Sequence, residues 1–439
     1  MFPDPQPEAP EPAGHGPLPT YLLPDNADVS RSGRLSIANV DVLDLVAELG
    51  TPAFVYDEDH LRSRAREAVE AWGSGVAYAS KAFLCRAMAQ LASGEGMMID
   101  VSTAGEMHVA LAAGVPAGRL VLHGNNKSEA ELQTALELEV GRIIVDSFDE
   151  IDRLERLATS RGRRARALIR VTPGIEAHTH EYVMTGQDDS KFGFGLASGA
   201  AAKAVERLRR KGSPVDLVGV HVHIGSQIFS LESFDRALAA VAPFVLPLDL
   251  EELCIGGGLG VAYVNGEQGP SITEWAERVK KSAAAVGIPA DLRITAEPGR
   301  AIVASAAITC YTVGTIKEIP GVRTYASVDG GMSDNPRPVL YGSGYEAFLV
   351  RATDAPRPCS VTVVGKHCES GDVVVRDAQV PADISVGDVL ATPVTGAYGH
   401  SMASTYNKVP RPPVVFVREG RARVVVRRET LDDLMALDL

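Results

Sequence analysis

No Cys-x-x-Cys pair occurs in this chain, and its five cysteines (Cys85, Cys254, Cys310, Cys359 and Cys368) are scattered and odd in number. A disulfide framework or a zinc ribbon needs closely paired thiols, so the pattern excludes both and points to reduced cysteines in a cytoplasm. No apolar run approaches the length of a membrane span, and no secretory signal pattern opens the chain. Basic residues are outnumbered: 43 Lys and Arg face 56 Asp and Glu, a formal charge of −13 that argues against a nucleic-acid partner. The basic stretches Arg161–Arg166 and Arg207–Lys211 follow helical patterns and read as solvated helix ends.

What the chain does contain divides it into four parts. The first 24 residues hold eight prolines and several acids, so residues 1–25 read as a flexible leader, with order expected from about Asn26. Residues 26–57 carry a helix-like segment and a strand-like run, Thr51–Tyr56, expected to pack with a later β domain. From 58 to 305, apolar runs alternate with amphipathic stretches such as Glu129–Leu138 and Glu150–Ser160. The runs are Val76–Ala82, Met97–Val101, Leu120–Gly124, Ile143–Asp146, Ala167–Thr172, Leu217–Ile224, Leu253–Gly257 and Leu292–Ala296. Eight strand–helix units over this length predict a (β/α)8 TIM-like barrel, and the strand count favours it over a doubly wound open sheet. Beyond residue 305 short β-rich runs separated by turn residues predict an all-β domain, a sandwich or barrel, over 306–439. The expected class is α/β plus all-β.

Active sites of such barrels form at the C-terminal ends of the strands. Lys81 falls there, in Val76-Ala-Tyr-Ala-Ser-Lys-Ala-Phe83, among small and apolar neighbours. Most lysines at strand ends are solvated and structural. One that loses its water becomes a neutral amine able to condense with a carbonyl. Gly256-Gly-Gly-Leu-Gly260 follows the seventh run and Glu297-Pro-Gly-Arg300 the eighth, where barrels of this kind hold phosphate. A glycine loop alone is more often a tight turn, but here its backbone N–H groups stand where an anion is expected.

Glu297 reads either as a salt-bridge partner within the mouth or as a carboxylate that keeps a ring nitrogen protonated. His221 and His223 share one face of the sixth run. That spacing raises a metal-dependent hydrolase as a rival, but His178 and His180 lie in a polar stretch, and no further ligand set stands out. A histidine stacked on a flat cofactor, with Ser226 near its phosphate, fits better. Cys368 differs from the other cysteines in lying in a polar, glycine-containing loop, Gly365-Lys-His-Cys-Glu-Ser-Gly-Asp372, where a thiol can donate a proton.

Taken in order, Tyr78-Ala-Ser-Lys-Ala-Phe83, His221-Val-His-Ile-Gly-Ser-Gln227, Gly256-Gly-Gly-Leu-Gly260, Glu297-Pro-Gly-Arg300, Cys368-Glu-Ser-Gly-Asp372 and Gly396-Ala-Tyr398 resemble the alanine-racemase-like (fold type III) pyridoxal-phosphate enzymes, and among them the diaminopimelate decarboxylases. The similarity runs from about Asn26 to the C-terminus. It implies that pyridoxal 5'-phosphate is carried on Lys81, stacked against His223 and paired through its ring nitrogen with Glu297. Ser226, Gly258, Gly260, Gly299, Arg300 and Tyr398 would surround the phosphate.

The resemblance further implies a cytoplasmic homodimer with shared active sites, in which Cys368 and Glu369 enter the neighbouring subunit and Cys368 protonates the carbon that has lost CO2. A small amino-acid substrate, meso-2,6-diaminopimelate, would give L-lysine. Its distal end would be met by Arg300, Arg337, Tyr341, Tyr398 and Glu369, since arginine pairs well with a carboxylate. The plainer reading of Arg337 is a surface charge beside a proline turn. The alternatives are a decarboxylase of ornithine, arginine or a secondary-metabolism substrate, and a non-catalytic relative that keeps only the dimer surface. Neither a nucleic acid nor a membrane is expected as a partner.

Overall fold

The computed structural model describes residues 16–174 and 190–439. Eight parallel strands stand side by side in chain order: Ala77–Ala79, Met98–Val101, Leu120–Leu122, Arg142–Val145, Ala165–Thr172, Val215–Val222, Glu252–Cys254 and Arg293–Thr295. The first and eighth meet where Ala77 N–H donates to Ala296 C=O at 3.0 Å and Ala79 N–H to Pro298 C=O at 3.1 Å. The ring is thereby joined beside Glu297, giving the TIM-like barrel that strand counting predicts.

Ala77, Val121, Ile144, Leu168, Val218 and Cys254, one from each of six strands, form a small apolar cluster apart from the main core, as expected for side chains that fill a barrel's interior. At the strands' N-terminal ends, buried Glu252 pairs with Arg142 at 2.8 Å and Arg293 at 2.6 Å. Charge pairs to a buried carboxylate thus occupy that end of the barrel. The surrounding helices begin where the sequence supplies caps. Ser128 and Ser271 each form a capping box with a glutamate three residues on, starting Glu129–Glu137 and Ile272–Ala285.

The second unit is mostly sheet and is built around one 13-residue strand, Ala307–Ile319. Its first part lies antiparallel to both Ala53–Asp57 and Val389–Pro393, and its last part pairs with Arg323–Val328. The register shifts between Val313 and Thr315, at Gly314, where the strand passes from one set of partners to the other. Ala53–Asp57 also pairs in parallel with Val414–Arg418, so this early strand runs through the middle of the later sheet. Asp57 ends that strand and caps the helix Glu58–Trp72 by accepting N–H bonds from Asp59 and His60. One residue thus makes the turn from sheet to barrel.

Two expectations need correcting. Order begins before Asn26: Leu18, Leu22 and Leu23 are buried in the main core, and Arg357 Nε donates to Gly16 C=O at 3.1 Å. Leucines between the prolines give this stretch an apolar face to bury, which outweighs its proline content. Lys81 also does not sit in the first strand. Pairing stops at Ala79, and Ser80–Ala82 forms a 3-10 turn that carries Lys81 clear of the sheet. No described helix is long and apolar enough to cross a membrane.

Candidate active site

The C-terminal ends of the strands enclose a cavity of about 360 Å³. Of the residues singled out in the sequence, Lys81, His223, Ser226, Gly258, Glu297, Gly299, Arg300 and Tyr398 line it. Lys81 is exposed to solvent within the mouth, not shielded as the apolar neighbours suggest. The neighbours Ser80 and Ala82 are buried, while the lysine is left open to the cavity it lines.

Glu297 is the buried centre of the site. Each of its oxygens faces a different histidine, with His123 Nε2 and His221 Nε2 both at 2.9 Å. Burial pushes this carboxyl up, but the two histidines outweigh it and hold Glu297 well below the usual carboxylate range. It is therefore a fixed anion. Burial alone would lower His123, but Asp100 and Glu297 raise it; burial does lower His221. Asp100 lies 3.7 Å from His123 Nε2, and burial pushes its carboxyl up to about 7 against the pull of that histidine.

His223 accepts Gly257 N–H through Nδ1 at 3.2 Å, and burial, with Lys81 and Arg170 nearby, keeps its imidazole neutral. The glycine loops leave no room for side chains: a Cβ on Gly257 would stand 2.4 Å from Glu297 C=O, and one on Gly258 (φ +107°) 2.3 Å from Gly225 C=O. Arg300 donates to Ser226 Oγ at 3.0 Å and to Tyr263 Oη at 2.7 Å, with the Tyr398 ring 4.8 Å from its guanidinium. Its Nε is buried and has no partner among the described residues. One wall thus offers a guanidinium, a hydroxyl and bare backbone, a donor set suited to a phosphate. The same cavity offers a fixed carboxylate suited to a protonated ring nitrogen, and Lys81 shares the lining. These residues fit pyridoxal phosphate.

Gly260 falls outside the lining, and its N–H is committed to Ile228 C=O at 2.9 Å. Arg337, Tyr341, Cys368 and Glu369 do not line the cavity of this chain either. Arg337 is no surface charge, being only 4% exposed. Its guanidinium stacks 4.3 Å from the Tyr263 ring and donates to Tyr345 Oη at 2.5 Å, one tyrosine away from Arg300. Tyr341 ends the short helix Arg337–Tyr341 and is half-buried, while Cys368 and Glu369 are exposed in a loop of the β domain.

Asp100, His123 and Arg170 also line the cavity but stand outside every motif read from the sequence. Their one signal was position, at the ends of the second, third and fifth apolar runs. His123, His221 and Glu297 place ligand atoms within 4.8 Å of one another, a grouping able to hold a cation. It differs from the His221 and His223 pair considered above, and both histidine Nε2 atoms are already directed at Glu297. His178 and His180 lie outside the described residues.

Comparison with known proteins bears on the same cavity. Residues 58–304 match the model for the pyridoxal-dependent decarboxylase, pyridoxal binding domain. The diaminopimelate decarboxylase of Mycobacterium tuberculosis (strain ATCC 25618 / H37Rv) is 46% identical over 443 residues, covering 96% of this chain and 98% of that protein. The chain belongs to the diaminopimelate decarboxylase family. The family member from Bacillus subtilis (strain 168) is 45% identical over 93% of this chain and 96% of its own length. Among solved structures, diaminopimelate decarboxylase from M. jannaschii in complex with L-lysine superposes with a TM-score of 0.88 at 31% identity, covering 94% of this chain and 98% of that one. Membership makes the protein a pyridoxal-phosphate-dependent carboxy-lyase, and the rival metal hydrolase falls away with it.

Proposed function

We propose that this chain removes the carboxylate from the D-configured carbon of meso-2,6-diaminopimelate to give L-lysine and CO2, as a cytoplasmic homodimer with shared active sites. The observation that carries the reading is Glu297, a buried carboxylate held as an anion by His123 and His221 and facing the cavity that Lys81 lines. When bound, pyridoxal phosphate supplies an electron sink for the pair left behind by CO2.

The protein's own part is positioning and proton control. Lys81 would hold the cofactor through its amine and yield to the substrate amine. Glu297 would keep the ring nitrogen protonated, His223 would flank the ring, and Ser226, Gly258, Gly299, Arg300 and Tyr398 would surround the phosphate. Cys368 and Glu369 lie outside their own chain's cavity, so a second copy would have to bring them in, Cys368 to return a proton to carbon. Residues 58–305 would form the cofactor-binding unit and 306–439 the unit that reaches the partner.

Arg337 supports the choice of substrate. Although off the lining, Arg337 is one tyrosine from Arg300 and has no carboxylate partner among the described residues, so it would suit a distal carboxylate, which ornithine lacks. Purified protein loaded with pyridoxal phosphate is expected to form lysine from meso-diaminopimelate and to leave ornithine and arginine unchanged. CO2 from ornithine without lysine from meso-diaminopimelate would overturn the assignment.

A further inference from the structure

Three loops of the β domain are bound into one body around Asp372. Both of its carboxylate oxygens accept backbone N–H bonds, from Met332 at 2.7 Å and His367 at 2.9 Å. Gly331 and Gly365 press so close to it that a Cβ on either would stand within 2.6 Å of a carboxylate oxygen. His367 extends the clasp, with Nε2 2.9 Å from Ser333 Oγ and Nδ1 3.1 Å from Asn407 Oδ1. Ser404 N–H donates to Ser333 C=O at 2.8 Å, and Lys408 Nζ to Leu434 C=O at 2.9 Å. Asn407 and Lys408 both adopt left-handed backbone (φ 51° and 55°), a conformation that asparagine takes readily but lysine rarely, so the surroundings impose it at Lys408.

This framework fixes the backbone of Cys368 and Glu369 but does not fix the Glu369 side chain, which is exposed and has three rotatable bonds. One contact does. Tyr406, which the left-handed backbone at Asn407 and Lys408 follows directly, donates its hydroxyl to Glu369 Oε1. Among the described residues, Glu369 has no other side-chain hydrogen bond. One oxygen is therefore held and the other is left to meet a cation.

We propose that Tyr406 is a specificity-determining residue, presenting the Glu369 carboxylate in a single orientation for the ammonium on the substrate's distal carbon. This rests on the reading that Glu369 meets that ammonium. The distal carbon bears an ammonium and a carboxylate, and Arg337 would take the carboxylate. With both charge partners fixed, only one hand of that carbon satisfies both. A carboxylate free to swing loses that discrimination and binds more weakly, because it must be ordered on binding.

L-Lysine carries the distal carbon intact, so its inhibition constant reads this contact without any chemistry. 6-Aminohexanoate is the same molecule without the distal ammonium. In the dimeric holoenzyme, Tyr406→Phe is expected to raise the KM for meso-diaminopimelate and the inhibition constant of L-lysine about tenfold, as for loss of a hydrogen bond to a charged group. The 6-aminohexanoate constant and the unfolding midpoint should stay as in the parent, and kcat should change far less than KM. Glu369→Gln should weaken L-lysine at least as much. If Glu369→Gln weakens L-lysine and Tyr406→Phe does not, the role of Tyr406 is refuted while the placement of Glu369 stands. If Glu369→Gln leaves L-lysine unaffected, the placement of Glu369 fails and the proposal with it. Equal weakening of L-lysine and 6-aminohexanoate in Tyr406→Phe would show a general disturbance and would also overturn it.

Discussion

Glu297 concentrates the chemistry because its environment decides its charge. Two histidines at 2.9 Å cancel the effect of burial and keep the carboxylate anionic in a place where a lone acid would take up a proton. Glu297→Gln keeps the shape and removes the charge; kcat at saturating pyridoxal phosphate is expected to fall about a hundredfold or more. A drop of less than about threefold would show that the ring nitrogen does not need this partner. Asp334 is the opposite case: burial, opposed by the Tyr311 hydroxyl at 2.6 Å, pushes its carboxyl up from 3.8 to about 7. A raised acid favours the folded state fully below its unfolded value and loses that advantage as pH climbs through the folded one. Asp334→Asn should therefore gain on the parent in unfolding midpoint between about pH 4 and pH 7, and above that the difference should stay constant. A difference independent of pH would refute the assignment. Lys81, His223 and Glu297 were legible because each sits in a motif at a strand end. Asp100, His123 and Arg170 were not, since each belongs to a different strand and they meet only when the barrel closes.

At the scale of elements, the loops after the third and fourth barrel strands are tied together by a buried ion pair. Lys127 Nζ donates to Gly124 C=O and Ile144 C=O, both at 2.6 Å, and meets Glu150 at 2.7 Å, with both side chains 1% exposed. The staple lies next to His123, so it secures one of the two histidines on Glu297. Removing one member strands the other charge: Lys127→Met should cost about 3–5 kcal/mol in urea unfolding. Lys127→Met with Glu150→Leu should recover much of that loss, and a single variant as stable as the parent would show the pair contributes little. Hydrophobic periodicity made the barrel strands readable, because each alternates with a helix of regular pattern. It did not reveal that Ser80–Ala82 leaves the sheet, nor that Ala27–Val29, Leu35–Ile37 and Val40–Asp41 form a small sheet of their own. Those features depend on backbone pairing over two or three residues, too short to leave a period.

Across the whole molecule, the separation between the cavity and the Cys368 loop makes a mixing experiment informative. If each site takes Lys81 from one copy and Cys368 from another, Lys81→Ala and Cys368→Ala proteins are inactive alone. Mixed in equal amounts and allowed to exchange, they should recover roughly a quarter of parental activity, since half the dimers carry one intact site of two. No recovery after verified exchange would rule out sharing between subunits. Assembly was legible only through the resemblance, because Glu369 and Tyr341 lie off the cavity of their own chain and no strand end or period marks them. The strand Ala53–Asp57, lying between Ala307–Ile319 and Val414–Arg418, has a consequence for biosynthesis. It leaves the ribosome early, yet its neighbour Val414–Arg418 is made long afterwards. Until then this buried, apolar strand waits with an open edge, a hazard for pairing with the wrong chain. The nascent protein is therefore expected to need chaperone cover until Val414–Arg418 emerges, and a chain cut short before Val414 should accumulate as aggregate, not as a free barrel.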